Sequence, residues 1–189
     1  MSSNARVGVL ISGRGSNMMA LADAAAAGAP YELALVASDR PDAAGLGWAR
    51  DRGLATFALS PRGIGKAAYE AELDSALRGA AVEVIALAGY MRLLSDAFVA
   101  RWRGRILNIH PSLLPKYKGL DTHARAIAAG DAVAGCSVHV VTEELDGGEV
   151  LGRAEVPVLP GDDVATLAER VLASEHQLYP TVLSRFVTR

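Results

Sequence analysis

Asn108 and His110 stand two residues apart in the run RILNIHPSLLPKY, residues 105–117. Strand side chains alternate between faces, so these two share one face while Leu107 and Ile109 share the other. Pro111 supplies no ladder donor, which predicts a strand stopping at His110, and open α/β sheets bind ligands at strand ends of that kind. A carboxamide N–H and an imidazolium N–H are both donors. Side by side they can hold an oxygen that turns negative in an acyl-transfer transition state, where one such donor is worth about 3–4 kcal/mol. Alone, such a pair more often serves the fold, with His110 capping a strand and Asn108 binding a loop carbonyl, so its neighbours must decide.

Two other motifs bear on that choice. Asp146-Gly147-Gly148 is first of all a turn signal. If that turn folds back on His110, the Asp146 carboxylate would orient the ring and stabilise its charged form. The loop SGRGSN, residues 12–17, follows an apolar run and precedes a helical pattern. Free backbone N–H groups and the positive end of a helix dipole favour a phosphate there, and glycines let it approach. The plainer reading is a helix cap by Ser16 or Asn17. Asp39 sits where a dinucleotide fold places its acidic residue, but Met18 replaces the third glycine of that fingerprint and no Walker lysine follows.

The remaining polar residues read as less specific. His139, in SVHVV, fits a hydrogen-bonded core position, and His123 and His176 fall in helical surroundings. No histidine pair has metal-site spacing, so no metal is expected. Lys66 reads as a solvated helix cation and Arg92, in a loop after a buried strand, as the better ligand contact.

The positioning elements follow from composition and periodicity. The 189 residues are 51% hydrophobic but only 5% aromatic, which predicts one domain with a core of small aliphatic side chains. Strand-like runs at residues 6–12, 31–38, 55–59 and 82–88 alternate with helical stretches at 18–27, 43–52 and 66–77, the pattern of βαβ units and a parallel sheet. Ser95 is a plausible cap for a helix at 96–102. Beyond Gly119 the pattern loosens. Thr122 is expected to cap a short helix to Ala129, and strands at 136–141 and 149–158 are too close for a parallel crossover, so this part should be mixed or antiparallel. A final helix runs from Asp162, with Pro180 expected to bend or interrupt it.

Composition also excludes classes. A net charge of −2 offers no broad basic face, so nucleic acid is not an expected partner. The stretch from Met1 to Arg6 is polar and the apolar run Val7 to Ile11 is too short for a signal peptide or a membrane span. Cys136 is the only cysteine, which excludes an internal disulfide and fits a reducing cytoplasm.

Four segments carry a family resemblance: ISGRGSN at 11–17, LAGYMRLL at 87–94, LNIHPSLLPKYKG at 107–119 and SVHVVTEELDGG at 137–148. In this order, and across nearly the whole chain, they resemble the phosphoribosylglycinamide formyltransferases, folate-dependent enzymes of purine synthesis. The N-x-H-P-S-L-L-P run with the later D-G marks a wider superfamily that includes methionyl-tRNA formyltransferase and formyltetrahydrofolate hydrolase; the G-S-N loop favours the ribonucleotide enzymes. The tRNA enzyme would be expected to carry a further C-terminal domain and the hydrolase an N-terminal one.

The resemblance implies a single three-layer α/β formyltransferase domain over residues 1–189. Residues 1–104 would be a Rossmann-like phosphate-binding half with parallel strands, and 105–189 a mixed, catalytic and folate-binding half. It implies transfer of a formyl group from 10-formyltetrahydrofolate to glycinamide ribonucleotide, by a monomer or homodimer. Asn108, His110 and Asp146 would be catalytic, and Gly15, Ser16, Asn17 and Glu175 would hold the ribonucleotide. Lys66, Met91, Arg92, Leu93, Leu94, Asn108, Thr142, Glu143, Glu144 and Leu145 would line the folate site. Lys66 stands where relatives commonly have arginine, and Asp121 where they have a neutral or basic residue. Two other classes remain open from the residues alone, a nicotinamide-dependent dehydrogenase and a catalytically silent nucleotide-binding module.

Overall fold

The alternating apolar runs become one seven-stranded sheet in the order β3-β2-β1-β4-β5-β6-β7. Its strands are β1 (Ala5–Ile11), β2 (Tyr31–Ser38), β3 (Thr56–Ala58), β4 (Val84–Leu87), β5 (Ile106–His110), β6 (Val133–Val140) and β7 (Val150–Pro157). The helices are α1 (Ser16–Ala26), α2 (Ala44–Asp51), α3 (Lys66–Gly79), α4 (Asp96–Arg101), α5 (Thr122–Ala128) and α6 (Val164–Val187). The computed structural model describes residues 4–189; Met1 to Ser3, the start of the polar N-terminal stretch, lie outside the described residues. Pairing is parallel from β3 through β5, and β6 and β7 are antiparallel to their neighbours. The expected change of sheet character beyond Gly119 is therefore present.

Strand alternation assigns each side chain to one of two cores. Val7, Val9 and Ile11 of β1 pack with Met18 and Leu21 of α1, Leu46 of α2 and Leu167, Val171 and Leu183 of α6. Leu10 points to the other face, with Tyr69, Leu73 and Leu77 of α3 and Phe98 of α4. Helices thus cover both faces and make three layers. Tyr179 of α6 is fully buried, and its hydroxyl lies 3.1 Å from both the Leu87 and the Leu107 carbonyl oxygen, which ties α6 to the ends of β4 and β5.

Strand order reverses its direction of growth at β1, whose neighbours are β2 and β4. The loops leaving β1 and β4 diverge there and open a crevice at the C-terminal edge of the sheet, where β5 also ends. Among the described residues no helix is long and apolar enough to cross a membrane.

Three local readings differ from the fold, the first of them an alternative for the glycine loop. Helix α1 begins at Ser16, with Gly15 at its N-cap and no side-chain cap, so neither Ser16 nor Asn17 caps it. Asp121, in the left-handed region at φ 57°, takes the N-cap of α5 that Thr122 was expected to fill, because the Arg125 N–H already bonds the Asp121 carbonyl. Pro180 lies inside α6 without ending it. Tyr179, Val182 and Leu183 are buried on either side of it, and that packing holds the helix through the missing hydrogen bond.

Candidate active site

Strand β5 delivers Asn108 and His110 to one face, as the alternation requires. Its partner β6 sets His139 directly opposite Asn108 and Ser137 opposite His110. The chain then leaves β6 and turns through Glu144 to Gly148. A Cβ on Gly148 would sit 1.8 Å from the Val140 carbonyl oxygen, so only glycine lets the turn lie this close to β6. That close return places Asp146 between two imidazoles. Its Oδ2 is 3.5 Å from His110 Nδ1 and its Oδ1 is 3.5 Å from His139 Nε2. All three side chains are nearly buried.

The hydrogen bonds assign the roles of the ring nitrogens. His139 Nδ1 donates to the Val140 carbonyl at 3.0 Å, leaving Nε2 to accept from the Asn108 amide at 3.2 Å. The orientation of the Asn108 amide is fixed by that contact, with its second N–H free to donate elsewhere. His110 Nε2 donates to the Tyr117 carbonyl at 2.9 Å. The ring is therefore anchored by the loop after β5, while Asp146 faces its other nitrogen. Nδ1 is the nitrogen left to serve a substrate oxygen.

Burial opposes ionisation of Asp146. Contact with His139, the Gly119 N–H, which donates to Oδ2 at 2.9 Å, and the attraction of the His110 ring together outweigh it, and the carboxyl is held below its usual value. His123, by contrast, has a buried Nδ1 with no partner, and burial first, then the His110 charge, lowers its pKa. It stays outside the bonded cluster.

These groups open onto a cavity of about 1020 Å³. Its wall includes Asn108, His110, His139 and Asp146, the segment Met91, Arg92, Leu93 and Leu94, the segment Thr142, Glu143, Glu144 and Leu145, and Lys66 at the start of α3. Every residue expected to line a folate site is in that wall. Met91, Leu93 and Leu145 are exposed apolar side chains at its rim, and Arg92 lies over the Tyr69 ring. Such a wall suits a flat, partly apolar ligand with a charged end. Among the described residues no group of three or more metal-ligating side chains is arranged around an ion position.

Gly15, Ser16, Asn17 and Glu175 lie outside this wall, beside the end of β1. Gly15 has φ 71°, and α1 begins with backbone N–H groups that no side chain caps. Asn17 Nδ2 donates to Glu175 Oε2 at 2.7 Å across 158 residues of sequence, while Asn17 Oδ1 is buried without a partner. Burial raises the Glu175 pKa against the opposing bond from Asn17. The two regions are joined by Ser12, whose hydroxyl donates to Asp39 at 2.6 Å and accepts from Met91 N–H at 2.9 Å. Asp39 is thereby engaged within the protein, unlike the ribose-binding acid of a dinucleotide fold.

Sequence reasoning missed His139 and Tyr117. The signal for His139 was the pairing of β5 with β6, since SVHVV opposite LNIH brings the two polar positions together; Tyr117 acts through its carbonyl, which no residue type announces.

The formyl transferase family profile matches residues 5–183. The chain belongs to the formyl transferase family. Phosphoribosylglycinamide formyltransferase of Escherichia coli K12 is 48% identical over 180 residues, covering 94% of this chain and 85% of that protein. The crystal structure of phosphoribosylglycinamide formyltransferase from Brucella melitensis superposes with a TM-score of 0.94 at 50% identity, over 98% of this chain and 97% of that one. The trifunctional purine biosynthetic protein adenosine-3 of Drosophila melanogaster is 45% identical over 186 residues, and the chain spans only 14% of its length. A stretch similar to this chain thus also lies within a much longer polypeptide.

Proposed function

We propose that this chain transfers the formyl group of 10-formyltetrahydrofolate to the amino group of glycinamide ribonucleotide, giving formylglycinamide ribonucleotide and tetrahydrofolate in purine synthesis. The observation that carries this reading is the cluster of Asn108, His110, His139 and Asp146 in one cavity wall, 3.5 Å or closer at each contact. Close relatives that bear the name of that enzyme support it.

Folate occupies the large cavity, its ring against Met91 to Leu94 and Thr142 to Leu145 and its charged tail toward Lys66. The ribonucleotide phosphate rests on Gly15, Ser16 and Asn17, with Glu175 and the open Asn17 oxygen receiving ribose hydroxyls. Strands β1 and β5 are separated only by β4, so phosphate and formyl carbon lie about 10 Å apart, two strand spacings. A ribose and a glycinamide arm bridge that gap.

The neutral amine attacks the formyl carbon and the carbonyl oxygen becomes negative. Asn108 N–H and His110 Nδ1–H donate to it, which stabilises the transition state more than the ground state. The ionised Asp146 sits beside the same centre and accepts the proton of the new ammonium, directly or through water. The bond from the formyl carbon to folate N10 then breaks and a proton returns to that nitrogen. The amine is already a competent nucleophile, so no covalent enzyme intermediate is needed.

All of these groups come from one chain, so monomer and homodimer serve equally, and the single buried Cys136 fits a cytoplasmic site of action. Residues 1–189 act as one domain in this reading, with ribonucleotide held by 1–104 and catalysis supplied from 105–189, apart from Glu175. The test is to combine the purified chain with both substrates and follow deformylated folate by absorbance. Signal dependent on the ribonucleotide is expected. Deformylation without it would identify a hydrolase, and no deformylation would reject the reading.

A further inference from the structure

His110 and Asp146 are both held by backbone groups of one short segment, and that segment is itself held from a distance. The Tyr117 carbonyl accepts from His110 Nε2 and the Gly119 N–H donates to Asp146 Oδ2, at 2.9 Å each. Tyr117 has a positive φ of 54°, a strained conformation for a tyrosine, which turns its carbonyl toward the ring. Something must keep it there.

Contacts from several side chains do so. The Tyr117 hydroxyl donates to Asp131 Oδ2 at 2.7 Å, and Lys116 Nζ reaches both Asp131 oxygens at 2.7 Å. Arg125 of α5 donates to the Lys118 carbonyl at 2.7 Å and lays its guanidinium 5.0 Å from the centre of the Tyr117 ring. Ser112 also donates to the Lys116 carbonyl at 2.6 Å. Asp131 lies in the turn between α5 and β6, and it lines none of the large cavity.

We infer that Asp131 and the Tyr117 hydroxyl form a latch that sets the turnover of the active site from outside it, by keeping the Tyr117 carbonyl on His110. They are positioning residues. Neither touches the substrates; their effect passes through the His110 ring, whose Nδ1 points at the reacting oxygen only while Nε2 is held. Bonds from Lys116 and then Tyr117 keep the Asp131 carboxyl below its usual value, so the latch is charged throughout the neutral range.

This inference rests on the proposed reaction for its kinetic readout, and its test separates the two. Tyr117→Phe and Asp131→Ala are each compared with the parent chain and with the same change in a His110→Ala background. In the parent, kcat should fall about tenfold, the effect of losing one hydrogen bond at an orienting position, with KM for both substrates within about twofold. In the His110→Ala background the added loss should be under about twofold, because the group acted upon is gone. Asp131→Asn keeps an acceptor for the phenol and should recover most of the kcat lost in Asp131→Ala. Independently of activity, the His110 Nε2–H proton, followed by ¹⁵N-edited NMR, should exchange with water at least about tenfold faster in Tyr117→Phe. Equal losses in both backgrounds, a change confined to KM, or unaltered exchange of that proton would overturn the latch. A parent chain that binds both compounds but forms no product would reject the reaction instead, and the exchange measurement would still decide the latch.

Discussion

The loop after β1 and the cluster at the ends of β5 and β6 lie on the same edge of one sheet, yet they are finished in opposite ways. Around Gly15 the protein leaves bonding capacity unused: α1 begins without a side-chain cap, and Asn17 Oδ1 is buried without a partner. Around His110 almost every polar atom is engaged by another, down to the carbonyl that orients each ring. A buried polar group without a partner costs about 1–3 kcal/mol, so a loop built this way gains most when a ligand completes it. A cluster already bonded has little to gain from ground-state binding and is instead fixed for the transition state. The first region should govern affinity and the second turnover.

Substitution of the groups proposed as catalytic is the severest test of that division. His110→Ala and Asp146→Asn should each lower kcat by about a thousandfold or more while the ribonucleotide dissociation constant stays within about threefold, read by single-turnover kinetics and calorimetry. Loss of affinity with turnover preserved would reverse the assignment. The depressed Asp146 pKa adds a pH signature. Its ionised form stabilises the fold above the unfolded carboxyl value, and that contribution disappears as pH falls through the lower folded value, so the stability it supplies should persist below the ordinary carboxylate range until Asp146 takes up its proton, as acid-side thermal melts of the parent and of Asp146→Asn would show.

Gly15→Val should produce the converse pattern. At φ 71° a side chain is strained, and its Cβ would meet Met18 at 3.0 Å. Ribonucleotide affinity should weaken by roughly 10- to 100-fold, the equivalent of one or two lost phosphate contacts, with kcat at saturation within about twofold. Unchanged affinity would remove the phosphate seat from this loop.

His139→Ala sharpens the comparison within the cluster at His110. The Asn108 amide would lose its fixed orientation while keeping its place, and kcat should drop about tenfold at constant KM. An effect equal to Asn108→Ala would give His139 a direct role.

The smallest expected effect is on stability. Glu175 has a raised pKa, so the stability tied to its protonated form is complete below the unfolded carboxyl value and is lost as pH rises through the folded one. Glu175→Gln should therefore be more stable than the parent at neutral pH, with the difference vanishing in acid, and it should bind ribonucleotide less well. Thermal melts at several pH values check the sign; a destabilised variant at neutral pH would show that the charged carboxylate is compensated in the free protein.

Much of this was legible from residue order. Alternation within LNIH settled that Asn108 and His110 face one way, since a strand has a period of two whatever surrounds it. The βαβ rhythm likewise placed the SGRGSN loop at the start of a helix, and the short spacing between the last two strands required antiparallel pairing. The interruption expected at Pro180 and the cap expected at Thr122 failed for a shared reason: local propensity costs a few kcal/mol at most, and the burial of Tyr179 and Leu183 or the backbone bond to Asp121 outweighs it. His139 was read as core and is indeed buried, but its partner Asn108 is 31 residues away.

By itself, then, the chain's order of residues determined the layered α/β architecture, the strand end that carries the donors and the glycine loop, because these follow from short-range periodicity and the steric rules of proline and glycine. Only the tertiary structure decided that Asp146 stands between two imidazoles, that a carbonyl of Tyr117 holds His110, and that Asn17 meets Glu175. Those contacts join residues brought together by strand register and helix packing, and the energy that selects them is shared across the whole core, so it leaves no signature at the residues themselves.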